Sequence, residues 1–261
     1  MATTSKGVRN KAMAILWAVI TVIMMPSLAH AAGVGQESVT NRPLMMMLAL
    51  AAMSLAPFVV IMVTSFVKLA VVLSIVRQGV GTQQIPPTQV ITGLAMILTV
   101  YIMMPVGLDT YHRVKEDMLN RPFSTVNLES MNAQQMADMG KIAQVPLREF
   151  LIKHTHNRER DMFYRLAWRM RQPRDRADLT DSDWSIIVPA FVITELKESF
   201  QIGFILFVPF LVIDMVVSNI LMALGMQMLS PTTISLPFKI LLFVIADGWY
   251  LITRGIVLGY S

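Results

Sequence analysis

Residues 195–249 read ELKESFQIGFILFVPFLVIDMVVSNILMALGMQMLSPTTISLPFKILLFVIADGW. The stretch has the form of two apolar helices joined by a short connection, with Gly225 flanked by methionines and Pro209, Pro231 and Pro237 spaced along it. Ionisable residues interrupt it: Glu195, Lys197, Glu198, Asp214, Lys239 and Asp247 lie in or beside apolar runs. Charges are expensive in hydrocarbon and face a protein interior or a wet pathway when they occur there. The expectation is that this stretch lines an assembly rather than facing lipid on all sides.

Composition supports a membrane class. Of 261 residues, 54% are hydrophobic and only 15% charged, with a mean hydropathy of +0.56, a balance outside that of ordinary soluble domains. There is no cysteine, so neither a disulfide framework nor a thiolate metal site is possible. The 22 methionines supply flexible apolar packing surface. The formal charge of +5 comes without a long basic block and does not indicate nucleic acid as a partner.

The N-terminus carries Lys6, Arg9 and Lys11, then an apolar run over residues 12–25, Pro26, and Ala29-His30-Ala31. This is the pattern of a cleavable secretory signal peptide, expected over residues 1–31 with cleavage after Ala31. The apolar run falls short of the ~20 residues that span a bilayer. A mature segment over residues 32–43 then leads into a first apolar hairpin over residues 44–107. Its first run, residues 44–76, would be ~50 Å of helix, so it must tilt, break near Pro57, or lie partly inside protein. Lys68 within it either snorkels to the interface or pairs with an acid inside an assembly. Gly79-Val80-Gly81 is a turn; no strand precedes it and no Gly-Lys-Ser/Thr follows.

Residues 108–183 hold thirteen Lys or Arg against twelve Asp or Glu, the mark of a small soluble helical domain inserted between the hairpins. Ser130 is placed to cap a helix carrying Met131, Met136 and Met139. A second helix is expected from Pro146, a favoured first position, with Leu147, Phe150, Leu151, Met162, Phe163 and Leu166 forming its apolar side. His154 and His156 stand two apart, on different faces, without a third metal ligand. Arg169, Arg171, Arg174 and Arg176 read as a solvated loop, with acidic lipid or a partner as the other reading. Residues 184–261 complete a second apolar hairpin. The fold class is therefore all-α: two membrane-associated apolar hairpins with an inserted small helical domain on the periplasmic side.

Several runs, in order, carry a specific resemblance: TSFVKLAVVLSIVRQ from Thr64, GTQQIPPTQV from Gly81, GLAMILTVYIMMP from Gly93, ELKESFQIGF from Glu195, PFLVID from Pro209 and ISLPFKILLFVIADGW from Ile234. Together they resemble the family that contains FliP of the bacterial flagellar export apparatus and SctR of type III secretion injectisomes. The likeness runs from about Leu44 to the end. SFVK at Ser65 and SPTTISLPFK at Ser230 are closer in wording to injectisome members, while the signal peptide is commoner in the flagellar branch.

The resemblance implies a bacterial inner-membrane protein, much of it on the periplasmic side once assembled. It also implies a homo-pentamer with smaller FliQ/SctS-like and FliR/SctT-like membrane proteins, alongside a FlhA/SctV-like export component. Such an assembly is a closed helical export gate for unfolded secreted polypeptides, its hairpins raised largely out of the bilayer. A methionine-rich constriction in that family falls by position on Met222, Met226 and Met228. Met222 and Met226 are four apart, as on one helix face, with Gly225 loosening the turn.

Glu195, Lys197 and Glu198 are then expected at the start of a helix, where its dipole favours acids, and Lys239, Asp247 and Asp214 as ion pairs fixing subunit register. No zinc-protease helix, nucleotide loop or nucleophile elbow is present, so neither an enzyme nor a cofactor is expected. The competing function is an ion-coupled membrane transporter or channel subunit, which would also place Lys68, Asp214 and Asp247 inside the membrane.

Overall fold

The computed structural model describes residues 42–82, 85–120, 133–226 and 228–260. The expected signal peptide, Ser130 and Met131 lie outside them. The described residues form helices and no strand. In chain order these are α1 (Arg42–Met62), α2 (Phe66–Val80), α3 (Thr88–Asn120), α4 (Ala133–Lys153), α5 (Asn157–Met170), α6 (Trp184–Ala223), α7 (Pro231–Ile245) and α8 (Gly248–Leu258), with a single 3₁₀ turn at Pro173–Asp175.

Two of these helices, α3 over Thr88–Leu119 and α6 over Trp184–Ala223, are long and apolar enough to cross a membrane. Two pairs, α1 from Met53 with α2, and α7 with α8, pass the same test together although each is bent at a short break. The all-α membrane class expected from composition is thus what the chain forms.

Proline positions differ from expectation. Pro57 lies inside α1, and the break comes later, at Val63-Thr64-Ser65. Pro146 lies inside α4, which begins at Ala133 rather than at the proline, while Pro189 and Pro209 both lie inside α6. A proline removes one intrahelical donor, but apolar helices tolerate this where neighbouring groups satisfy the freed carbonyl. The apolar set expected on one helix from Pro146 is divided: Leu147, Phe150 and Leu151 are buried on α4, whereas Met162 and Leu166 are exposed on α5, after a break at residues 154–156.

The chain separates into two compact units. One holds the described residues up to Val63 with Met103–His154; within it, Arg113 Nη2 on α3 donates to Glu149 Oε2 on α4 at 2.9 Å. The other holds Thr64–Ile102 and Thr155–Ser261. In this second unit α6 is the pillar: α2, α5 and α7 all pack on it, the α2 contact being the most extensive. Its core residues include Leu69, Val72, Leu73 and Val76 of α2 with Ile186, Ile187, Ala190 and Phe191 of α6, all essentially buried.

Helices α2 and α6 run parallel, since contacts advance together along both, from Lys68 against Glu195 to Gly79 against Phe207 and Phe210. Their close approach depends on Gly203. A Cβ there would lie 2.4 Å from Cδ1 and 3.2 Å from Cβ of Ile75. Overpacking of this kind costs about 1–3 kcal/mol, more than the helix propensity that a glycine forfeits. Gly203→Val should therefore lower the thermal stability and detergent-solubilised yield of the chain, and adding Ile75→Ala should restore part of the loss. Equal stability of Gly203→Val and the parent would show that the helices do not meet there.

Candidate functional site

The charges that interrupt the apolar helices converge on α6. Lys68 of α2 is 3% exposed, and its Nζ lies 3.1 Å from Glu195 Oε1 and 2.7 Å from Glu198 Oε2. The two acids stand three apart on α6, so one helix face presents both. Of the two readings for Lys68, pairing with acids is the one found. Tyr260, beyond α8, donates its hydroxyl to Glu195 Oε2, and the Lys68 ammonium sits 4.3 Å from the centroid of its ring. Burial first, and then the negative charge of Glu195, raise the Tyr260 phenol above its ordinary range, which keeps it a donor. Glu195 is fully buried, whereas Glu198 reaches the surface, where His156 Nδ1 approaches its Oε1 to 3.3 Å.

One turn of α6 also ties it to α5. Lys197 Nζ donates to Glu159 Oε1 at 2.9 Å. That hydrogen bond holds the Glu159 carboxyl below its usual range, against the opposing effect of burial. Thr194 Oγ1 accepts the backbone N–H of His156, the residue preceding α5, at 3.3 Å.

The expectation that Glu195, Lys197 and Glu198 begin a helix is corrected here. Helix α6 starts at Trp184, eleven residues before Glu195, whereas a helix dipole acts within the first turn. Their partners come instead from α2, α5 and Tyr260.

A second, partly buried pair joins α6 to α7. Asp214 Oδ2 accepts from Lys239 Nζ at 2.6 Å and Asp214 Oδ1 accepts from the Ser235 hydroxyl at 2.5 Å. Ser235 and Lys239 are four apart on α7, so both meet the same carboxylate. Asp247 takes no part in this pair. It is exposed, adopts a left-handed conformation (φ 49°) and marks the break between α7 and α8.

At the far end of α6, the methionine turn is organised by its backbone. Gly225 has φ +72°, and its N–H reaches Met222 O at 3.0 Å while the N–H of Met226 reaches Leu221 O at 2.9 Å. This pair of bonds is a Schellman helix end. The helix therefore stops at Ala223, and Met226 lies beyond it rather than on a helix face shared with Met222. Met222, Met226 and Met228 are 58%, 45% and 100% exposed.

Sequence reasoning missed Tyr260, Glu159 and Ser235, and weighed His156 only as a metal ligand, not as a neighbour of Glu198. Only Ser235 carried a local signal, its spacing from Lys239. Among the described residues, no group of three or more His, Asp or Glu is placed to hold a metal ion.

With this arrangement in view, comparison with known proteins is specific. The FliP family model matches residues 49–256. The chain is 43% identical over 220 residues to the Yop proteins translocation protein R of Yersinia pestis, covering 83% of this chain and 95% of that one. It is 41% identical over 209 residues to the hypersensitivity response secretion protein HrcR of Ralstonia nicotianae, covering 80% and 93%. It is 42% identical over 217 residues to the flagellar biosynthetic protein FliP of Bacillus subtilis, covering 81% and 89%. These identities do not separate the secretion relatives from the flagellar one.

Two measurements test the buried pairs. Removing one partner of a buried ion pair costs about 3–5 kcal/mol, whereas removing both is close to neutral. Lys68→Met should accordingly destabilise the purified chain strongly, and Lys68→Met with Glu195→Gln should recover much of the loss; a tolerated Lys68→Met would refute the pairing. Likewise Lys239→Asp and Asp214→Lys should each be defective in folded yield while the double exchange is restored. Failure of the double variant when both singles are defective would sink that pair.

Proposed function

The chain belongs to the FliP family, and from that premise we propose that it is a core subunit of the export gate through which a type III secretion apparatus passes unfolded polypeptides. Membership makes it a membrane component of a secretion apparatus and not an enzyme. The finer reading, a homo-pentamer closed with FliQ/SctS-like and FliR/SctT-like partners and served by a FlhA/SctV-like component in a bacterial inner membrane, rests on the family resemblance.

The observation that carries this reading is the exposed methionine turn. Three unbranched thioether side chains are exposed there, Met222 in the last turn of α6 and Met226 and Met228 beyond it, around a helix end whose Leu221 and Met222 carbonyls are occupied by the Schellman bonds. Several copies around an axis would bring a ring of such side chains together. Methionine repacks readily against varied apolar surfaces, so the ring could seal against ions and part for a polypeptide. The polar groups on and against α6 serve the frame: Lys68, Glu195, Glu198, Lys197, Asp214 and Lys239 each have a partner within the chain. Such compensation favours positioning over ion carriage, and so favours the export gate over an ion-coupled transporter. The apolar outer face of α6, exposed at Phe200, Phe204, Ile205, Val212 and Val216, is contiguous apolar surface of the kind that marks contact with partners or lipid.

Replacing Met222, Met226 and Met228 together by alanine should leave the chain folded and assembled but produce an ion leak across the membrane and alter export of a reporter substrate. Normal secretion with no leak would remove the gasket from the reading.

A further inference from the structure

The side chains of the methionine turn have a chemistry besides apolar packing: a thioether sulfur can be oxidised. Met222, Met226 and Met228 are all exposed. Polar residues accompany them, with Gln227 between two of the three in sequence and the exposed Ser230, Thr232 and Thr233 just after. Met96 and Met104 on α3 and Met215 on α6 are exposed too, but they lie inside the apolar runs of helices long enough to cross a membrane, where a bilayer or a neighbouring helix would keep water away. Met103 is buried. The turn therefore sets three sulfurs where a water-borne oxidant meets them.

With hydrogen peroxide as the oxidant, a sulfur lone pair attacks one peroxide oxygen and the O–O bond breaks. The sulfur, oxidised by two electrons, keeps that oxygen as a sulfoxide, and the other oxygen leaves with both protons as water. A flexible apolar side chain becomes a polar one. The backbone is spared, because the Leu221 and Met222 carbonyls are bonded to the N–H groups of Met226 and Gly225, so the helix end persists while the side chains hydrate. The chain has no cysteine, so no thiol of its own competes for the oxidant or reduces the sulfoxide. Reversal falls to methionine sulfoxide reductases, one for each sulfoxide epimer, with an external dithiol that ends as a disulfide as the sulfoxide oxygen leaves in water.

We propose that Met222, Met226 and Met228 form a reversible oxidation site through which a peroxide opens the closed gate to ions. The inference rests on the gasket reading above. Copies arranged around one axis would bring their sulfoxides together, and a ring of polar, hydrated groups no longer excludes water from the constriction.

The test uses the assembled complex in liposomes that hold a potassium-sensitive dye. Dilute hydrogen peroxide should convert Met226 and Met228 to sulfoxides in peptide mass spectra while Met103 stays reduced, and the ion leak should rise several-fold. Both reductases with dithiothreitol should return the leak to its starting value. Met222→Leu, Met226→Leu and Met228→Leu together keep the turn apolar at similar volume and remove the sulfurs. Peroxide should not raise the leak of this variant, although Met162 and Met170 on α5, which are also exposed, still oxidise.

A turn that stays reduced when Met162 and Met170 are oxidised would overturn the proposal, as would an equal peroxide-driven leak in the leucine variant. The triple alanine variant separates the two readings. If it leaks while the parent with an oxidised turn stays sealed, the oxidation site fails and the gasket stands; if neither leaks, the gasket itself fails.

Discussion

A lysine buried between two apolar helices is unstable unless an acid is buried with it, and the pairing of Lys68 with Glu195 and Glu198 meets that condition. Desolvating either partner alone costs several kcal/mol; desolvating the pair is roughly break-even against an apolar replacement. The interaction is thus a poor source of net stability and a strong source of specificity. Rotating α2 away from the α6 face that carries Glu195 and Glu198 would strand Lys68 in an apolar setting. The same register brings Ile75 onto Gly203 one heptad further along, and Gly79 onto Phe207 and Phe210 beyond that. A polar contact selects the alignment, and close apolar packing then stabilises it.

That logic recurs along α6. Glu159 with Lys197 fixes α5, and Asp214 with Lys239 and Ser235 fixes α7. Helix α6 is consequently held by three polar contacts on α2, α5 and α7, with Tyr260 closing the C-terminus over the first of them. Each contact joins residues far apart in the chain. Between them the remaining surface of α6 is apolar and largely exposed, a distribution suited to a subunit whose neighbours are other helices or lipid.

Much of this was legible in sequence, and the parts that were not have identifiable causes. The all-α class follows from long apolar runs, and the pairing of Asp214 with Lys239 was foreseeable because an acid and a base in the apolar runs of consecutive helices have few other partners. The helix start expected at Glu195 was misplaced because acids beside an apolar run resemble a helix N-terminus; the helix passes through them because tertiary partners satisfy those charges. Pro57 and Pro146 misled in the same direction. Tyr260 carried no local signal at all, since it meets Glu195 across 65 residues. Asp247 seemed a third member of the ion-pair set, yet its backbone rather than its charge is what distinguishes it, as the left-handed residue at a helix break.

At the methionine turn, residue spacing and backbone geometry disagree. Spacing alone puts Met222 and Met226 on one helix face, but Gly225 takes the left-handed conformation that ends the helix between them. A gasket built on a helix face would have to move the helix in order to open. Here the carbonyls of Leu221 and Met222 are already occupied by Met226 and Gly225, so the helix end is closed off independently of what the side chains do. Met226 and Met228 lie past that end, and their flexible side chains can change rotamer without breaking a helical hydrogen bond. Polar ties hold the pillar in place, and Met226 and Met228 sit beyond its cap. For the gasket proposed above, separating rigidity from adaptability in this way is the more workable arrangement.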